Sequence, residues 1–175
     1  MADSNPMEAF LSLSALLTGY TKTDLLATGL AGQYYDKLSS IVDEDICGAL
    51  WTATREAMKG LGIRPKVAER RIRKLVLSNA MLAPLAINII AMWYLSSWSQ
   101  LPQAWRSLYG AKANDVDHVI SAEAYQEGLV WQAIGAHPQG AKQQGYGAWG
   151  LPPPWKLSPP WKRKKPRLKR RRRAA

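Results

Sequence analysis

Apolar residues recur every three or four positions along most of the first 135 residues, the spacing of helices with one buried face. Asn5-Pro6 followed by Phe10, Leu13, Leu16 and Leu17, ending at Gly19, predicts a first helix with a Pro start and a Gly stop. Thr23-Asp24 opens a second pattern through Leu26, Leu30, Tyr34 and Leu38. Asp43 is placed to cap a third, with Ile46, Leu50, Met58 and Leu61 closed by Gly62. Pro65 begins a fourth whose polar face is basic: Lys66, Arg70, Arg71, Arg73 and Lys74. Ser121 is a good N-cap for a last helix through Leu129, Val130 and Ile134 to Gly135, with Ile120 and Tyr125 at hydrophobic-staple spacing. Strict apolar alternation over five residues or more is absent, so the body reads as all-α, a small irregular bundle of five to six helices.

The stretch from Leu75 to Trp105 holds 31 residues without a charge. Residues 81–98 are long enough to span a bilayer and have basic residues on their N-terminal side. Pro84, Asn88, Ser96 and Ser97 oppose a span, and Pro84 suits the first position of a separate helix running to about Trp98. A buried or partner-covered helix is the expectation, with a membrane anchor over 81–98 as the alternative. Gln100 to Val119 reads as mixed loop.

Beyond Gly135 the pattern changes. Residues 136–154 are too Gly-rich for a helix and too aromatic for a plain linker, which predicts an extended arm lying on a surface. The tail, 155–175, repeats Pro-Pro-Trp-Lys and then becomes almost wholly basic (Lys162, Arg163, Lys164, Lys165, Arg167, Lys169, Arg170, Arg171, Arg172, Arg173), which predicts disorder when free. The chain thus divides into a helical domain over 1–135, the arm, and the tail.

Charge follows that division. The net charge of +11 comes from 24 basic and 13 acidic residues, but eleven of the basic ones lie between Lys156 and Arg173 and every acid precedes residue 154. Residues 1–154 are therefore formally neutral. Attached to them, the basic run suits polyanion binding with Trp155 and Trp161 stacking on bases, an anionic membrane face, or no more than a solvated extension. Nucleic acid is not expected as the partner.

Chemistry-bearing groups are sparse. One cysteine, Cys47, and two histidines, His118 and His137, leave no ligand set for zinc or an iron–sulfur cluster. No nucleophile elbow, phosphate loop or dinucleotide fingerprint is present, so no catalytic, cofactor-binding or metal-binding residue is expected. Asp117-His118 reads as a solvated loop pair, His137-Pro138 as a helix-end partner, and Asp43-Glu44-Asp45 as complement to a helix dipole. The first ten residues do not resemble a secretory signal, and no export address is expected in the chain itself.

Four segments read together, in order and spacing, resemble the small subunit of the membrane-associated, FAD-dependent sugar and polyol dehydrogenases, the group that includes sorbitol, fructose, gluconate and glucose dehydrogenases. They are Phe10-Leu11-Ser12-Leu13-Ser14-Ala15-Leu16-Leu17-Thr18-Gly19, Ile90-Ala91-Met92-Trp93-Tyr94-Leu95, Ala124-Tyr125-Gln126-Glu127-Gly128-Leu129-Val130-Trp131 and Gly145-Tyr146-Gly147-Ala148-Trp149-Gly150-Leu151-Pro152. The likeness covers residues 9 to 153. The family's Trp-Tyr-x-Gly reads Trp93-Tyr94-Leu95-Ser96 here, and the basic tail has no family counterpart.

The resemblance implies a small helical subunit without cofactor or catalytic residue, needed for folding, stability or export of a large flavoprotein of the glucose-methanol-choline oxidoreductase type. FAD belongs to that partner, often with an iron–sulfur cluster, and haem c to a cytochrome c subunit feeding the membrane quinone pool. The place implied is the periplasmic face of a bacterial inner membrane, or the cytoplasm if the chain is not exported; family members typically carry a twin-Arg signal that is not seen in this sequence. Partner contacts are expected from Trp93, Tyr94, Tyr125, Leu129, Trp131, Gly145, Tyr146, Trp149 and Pro152, with the arm mostly on the partner.

Overall fold

Nine α-helical segments, one π turn and one short strand pair make up residues 5–60 and 65–138, the part of the chain that the computed structural model describes. The body is all-α, as its periodicity predicts. From residue 139 on, the arm and tail lie outside the described residues, and with them Gly145, Tyr146, Trp149, Pro152 and the basic residues Lys162 to Arg173.

The first helix, α1 (Pro6–Thr18), has the predicted ends: the Asn5 side chain accepts from the Met7 amide, and Gly19 closes the helix in the left-handed conformation, with φ of 77°. It buries Ala9, Phe10, Leu11, Leu13 and Ser14, and packs against α2 (Lys22–Ala27), α3 (Ala31–Ile41), α4 (Glu44–Met58), α5 (Pro65–Ile72) and α6 (Ala83–Leu95). A helix with that many neighbours must be apolar on most of its circumference, which is why its amphipathic signal is weak.

The second predicted helix is two. Thr21 caps α2 in a reciprocal capping box with Asp24, and Gly29, with φ of 74°, turns the chain before α3. Leu25, not Leu26, is the buried residue of α2. Asp43 precedes α4 as expected but makes no side-chain cap bond; α4 ends at Met58, Gly60 has a positive φ, and the stop expected at Leu61 and Gly62 lies outside the described residues. The basic helix α5 continues directly into a π turn, Arg73–Leu77, closed where the Ser78 amide and hydroxyl both donate to the Arg73 carbonyl at 3.0 Å.

Then comes α6. It is 13 residues long, or about 20 Å at 1.5 Å per residue, against about 30 Å of bilayer hydrocarbon. No helix among the described residues is long and apolar enough to cross a membrane. Asn88, polar within the uncharged stretch, is satisfied by one backbone unit: its amide donates to the Ser99 carbonyl and its oxygen accepts from the Ser99 amide, each at 2.9 Å.

The helix expected to run to about Trp98 stops at Leu95, and the mixed loop expected over residues 100–119 is also corrected. β1 (Ser97–Trp98) pairs antiparallel with β2 (His118–Val119), and α7 (Gln103–Tyr109) lies between them. Asp115, almost fully buried, organises the segment by accepting from Trp98 Nε1 at 2.8 Å and from the Leu101 amide at 3.1 Å. Periodicity misses this because the strands are two residues long and the segment is held by side-chain partners, not by a repeating pattern. The last predicted helix is also split: Ser121 caps α8 (Ala122–Glu127) through the Ala124 amide, and Gly128 separates it from α9 (Leu129–Ile134). Two splits and α7 raise the expected five to six helices to nine among the described residues.

Candidate partner interface

The three segments behind the resemblance that lie among the described residues converge in space. The Tyr94 hydroxyl donates to the Thr18 carbonyl at 2.9 Å, tying the end of α6 to the end of α1 across 76 positions of sequence. Burial raises the Tyr94 phenol above its ordinary range, so it stays a neutral donor, and its ring meets Tyr20 edge-on at 6.3 Å. Next to it, Ser96 caps α6 with φ of 58°, donates from its hydroxyl to the Ala124 carbonyl, and its carbonyl accepts from the Ile120 amide at 2.8 Å.

Gly128 completes the junction. A Cβ there would stand 3.0 Å from Ser96 Oγ and 3.1 Å from the Tyr94 carbonyl oxygen. Its backbone, φ −54° and ψ 129°, suits any residue, so the need for glycine is one of space. Gly128→Ala is expected to cost about 1 kcal/mol by overpacking, read as a lowered denaturation midpoint with unchanged slope.

Each sequence-predicted contact among the described residues can now be placed. Trp93 and Leu129, each 1% exposed, belong to the chain's own core and are not available to a partner. Trp93 lies edge-on to Tyr34, with ring centroids 4.8 Å apart, and stacks with Phe10 at 6.4 Å. Burial pushes the Tyr34 phenol up to about 12 and the Cys47 thiol up to about 11, so neither ionises near neutral pH. Tyr94 is half-buried. Tyr125 and Trp131 are half-buried as well and meet edge-on at 5.3 Å, with Trp131 Nε1 donating to the Tyr125 carbonyl at 2.8 Å.

Beside this junction lies an apolar face that the sequence reading does not single out. Leu85, Ala86, Ile89, Met92 and Trp93 are the buried apolar residues that point α6 into the core. The opposite side carries Ile87, Ala91 and Leu95, four residues apart, and Ile134 stands exposed at the end of α9, which packs on α6. Ile87, Leu95 and Ile134 are 62%, 60% and 64% exposed. Isolated exposed apolar residues are ordinary, but a stripe spaced at one helical turn on an otherwise apolar helix is a surface suited to cover. The signal is in the sequence: 87, 91 and 95 run out of phase with 85, 89 and 92.

Among the described residues no group of three or more His, Cys, Asp or Glu is placed to hold a metal ion. His118 Nδ1 lies 2.6 Å from the Val116 carbonyl, and Asp117 accepts from the Gln100 amide at 2.6 Å, so both belong to the fold of this loop. No protein-family model matches the chain, and no curated protein or solved structure is significantly similar to it.

Proposed function

We propose that this chain is a non-catalytic small subunit that binds and stabilises, and helps export, an FAD-containing sugar or polyol dehydrogenase of the glucose-methanol-choline type, within a membrane-associated complex completed by a cytochrome c subunit. The docking surface is the outer face of α6 and α9, with Ile87, Leu95 and Ile134 at its centre and Tyr94, Tyr125 and Trp131 at its edge. FAD, iron–sulfur cluster and haem c belong to the partners.

What supports this reading is the convergence of three segments that resemble the family at a single junction. Leu-Thr-Gly at the end of α1, Trp-Tyr-Leu-Ser at the end of α6 and Tyr-Gln-Glu-Gly-Leu-Val-Trp across α8 and α9 meet one another through Tyr94, Ser96 and the space at Gly128. Ser96 stands where the family's pattern has Gly, and its backbone occupies the left-handed region that favours Gly.

Co-expression with an FAD-containing dehydrogenase of the glucose-methanol-choline type is the test. The intact chain is expected to copurify with a yellow flavoprotein in fixed ratio. Ile87→Asp combined with Leu95→Asp should reduce capture at least tenfold while leaving helix content intact, because both side chains already face water. Capture unaffected by the pair would remove this face from the interface, and flavin bound stoichiometrically to the chain alone would overturn the non-catalytic reading.

A further inference from the structure

The described residues come close to neutrality only in sum. Between Pro65 and Leu77 stand five basic residues and one acidic, Glu69, whereas the other described residues hold six basic and eleven acidic. Lys66, Arg70, Arg71, Arg73 and Lys74 are all exposed, while Ala68, Ile72 and Val76 turn the same segment into the core. None of the five forms an ion pair among the described residues.

A sixth cation is drawn in by the fold. Arg71 donates from its guanidinium to the Lys59 carbonyl at 2.8 Å, and Lys59, Arg71, Lys74 and Leu75 line, with Glu56, an open cleft of about 510 Å³. Glu56 is the single carboxylate there and is 3.8 Å from Lys59. With one carboxylate among the cations the positive charge is left in excess, and an anion seated among them relieves their repulsion. Leucines stand among the cations: Leu75 is half-buried in the cleft wall, and Leu77 at the end of the π turn is 38% exposed.

We propose that Lys59 together with the strip from Lys66 to Leu77 is a docking surface for anionic phospholipid headgroups, with Leu77 reaching the headgroup layer. Cations flanking exposed aliphatic side chains are the composition of an interfacial surface. Nucleic acid fits less well, because no aromatic residue lies in the strip to stack on bases. The acidic remainder of the body is repelled by the same surface, which fixes one orientation. This surface is separate from the outer face of α6, and the inference stands whether or not the chain has a flavoprotein partner.

Sedimentation with vesicles tests it, using the full chain at about 0.1 M salt, where the Debye length is about 10 Å. Phosphatidylcholine vesicles are compared with mixed phosphatidylcholine and phosphatidylglycerol vesicles. Because the tail is also basic, the tests are made in a chain whose basic residues from Lys162 to Arg173 are replaced by Gln. In that background Lys66→Gln, Arg70→Gln, Arg73→Gln and Lys74→Gln together are expected to lower partition onto anionic vesicles at least tenfold, and Leu77→Ser alone at least twofold. Binding unchanged by the four substitutions overturns the proposal. Loss of duplex DNA binding in their place, with no effect of Leu77→Ser on vesicles, makes the strip a polyanion surface and overturns it too. Hydrogen exchange on the unmodified chain is a check that needs no variant: amides over 66–77 should slow on anionic vesicles, and unchanged rates there refute the assignment.

Discussion

Trp93→Ala is expected to lower the stability of the folded chain by about 4 kcal/mol, a large part of what a domain of this size possesses. The ring is 1% exposed where α1, α3 and α6 meet, between Phe10 and Tyr34. Its indole nitrogen has no hydrogen-bond partner among the described residues, so the loss is one of packing and of the cavity left behind. Trp93→Phe, which keeps a ring and abandons no hydrogen bond, should therefore recover more than half of the deficit. Chemical denaturation measures both. A near-neutral Trp93→Ala would mean that the ring is not in the core and would return it to the set of partner contacts.

Asp115→Ala is expected to cost about 3 kcal/mol, because it orphans two buried donors, the Trp98 indole and the Leu101 amide. Arg106, whose Nε lies 3.9 Å from the carboxylate, loses its only charged neighbour among the ion pairs of the described residues. For a domain this long the change corresponds to a fall in Tm of about 10 °C. Asp115→Asn, which retains an acceptor, should fall less. A double-mutant cycle with Trp98→Phe identifies the cause: if the indole bond matters, the two losses are less than additive. Additive losses would place the effect elsewhere in the loop.

These two residues also mark the boundary of what is legible in the chain. Elements announced by neighbouring residues are readable: the Asn5-Pro6 start and Gly19 stop of α1, the Pro65 start of α5 and the Ser121 cap. Elements that exist because of distant partners are not. Nothing in the local pattern over residues 97–119 announces that Trp98 and Leu101 share Asp115, or that Asn88 bonds to Ser99. Gly29 and Gly128 are visible residues, but an apolar period that continues across a glycine does not say whether the axis turns there.

The same distinction applies to the interface. Composition finds aromatic residues, and Tyr94, Tyr125 and Trp131 do gather at one junction. Neither composition nor the resemblance says on which side of a helix a side chain falls, so Trp93 and Leu129 are expected as partner contacts although they fill the core. A helix that is apolar on all sides gives its exposed face away only through phase, which is why composition does not reveal Ile87 and Leu95.

The bond from Tyr94 to Thr18 bears on the order in which the chain can fold as it is made. The apolar surface of α1 is completed by α6, and 76 positions separate the two bonded residues. At roughly 5–20 residues per second, α1 emerges from the ribosome several seconds or more before the helix that covers it. During that interval Phe10, Leu11 and Leu13 depend on the earlier helices alone for shelter. The nascent chain therefore carries apolar surface that α6 can cover only once Leu95 has cleared the exit tunnel, and slow translation through residues 60–95 lengthens that exposure.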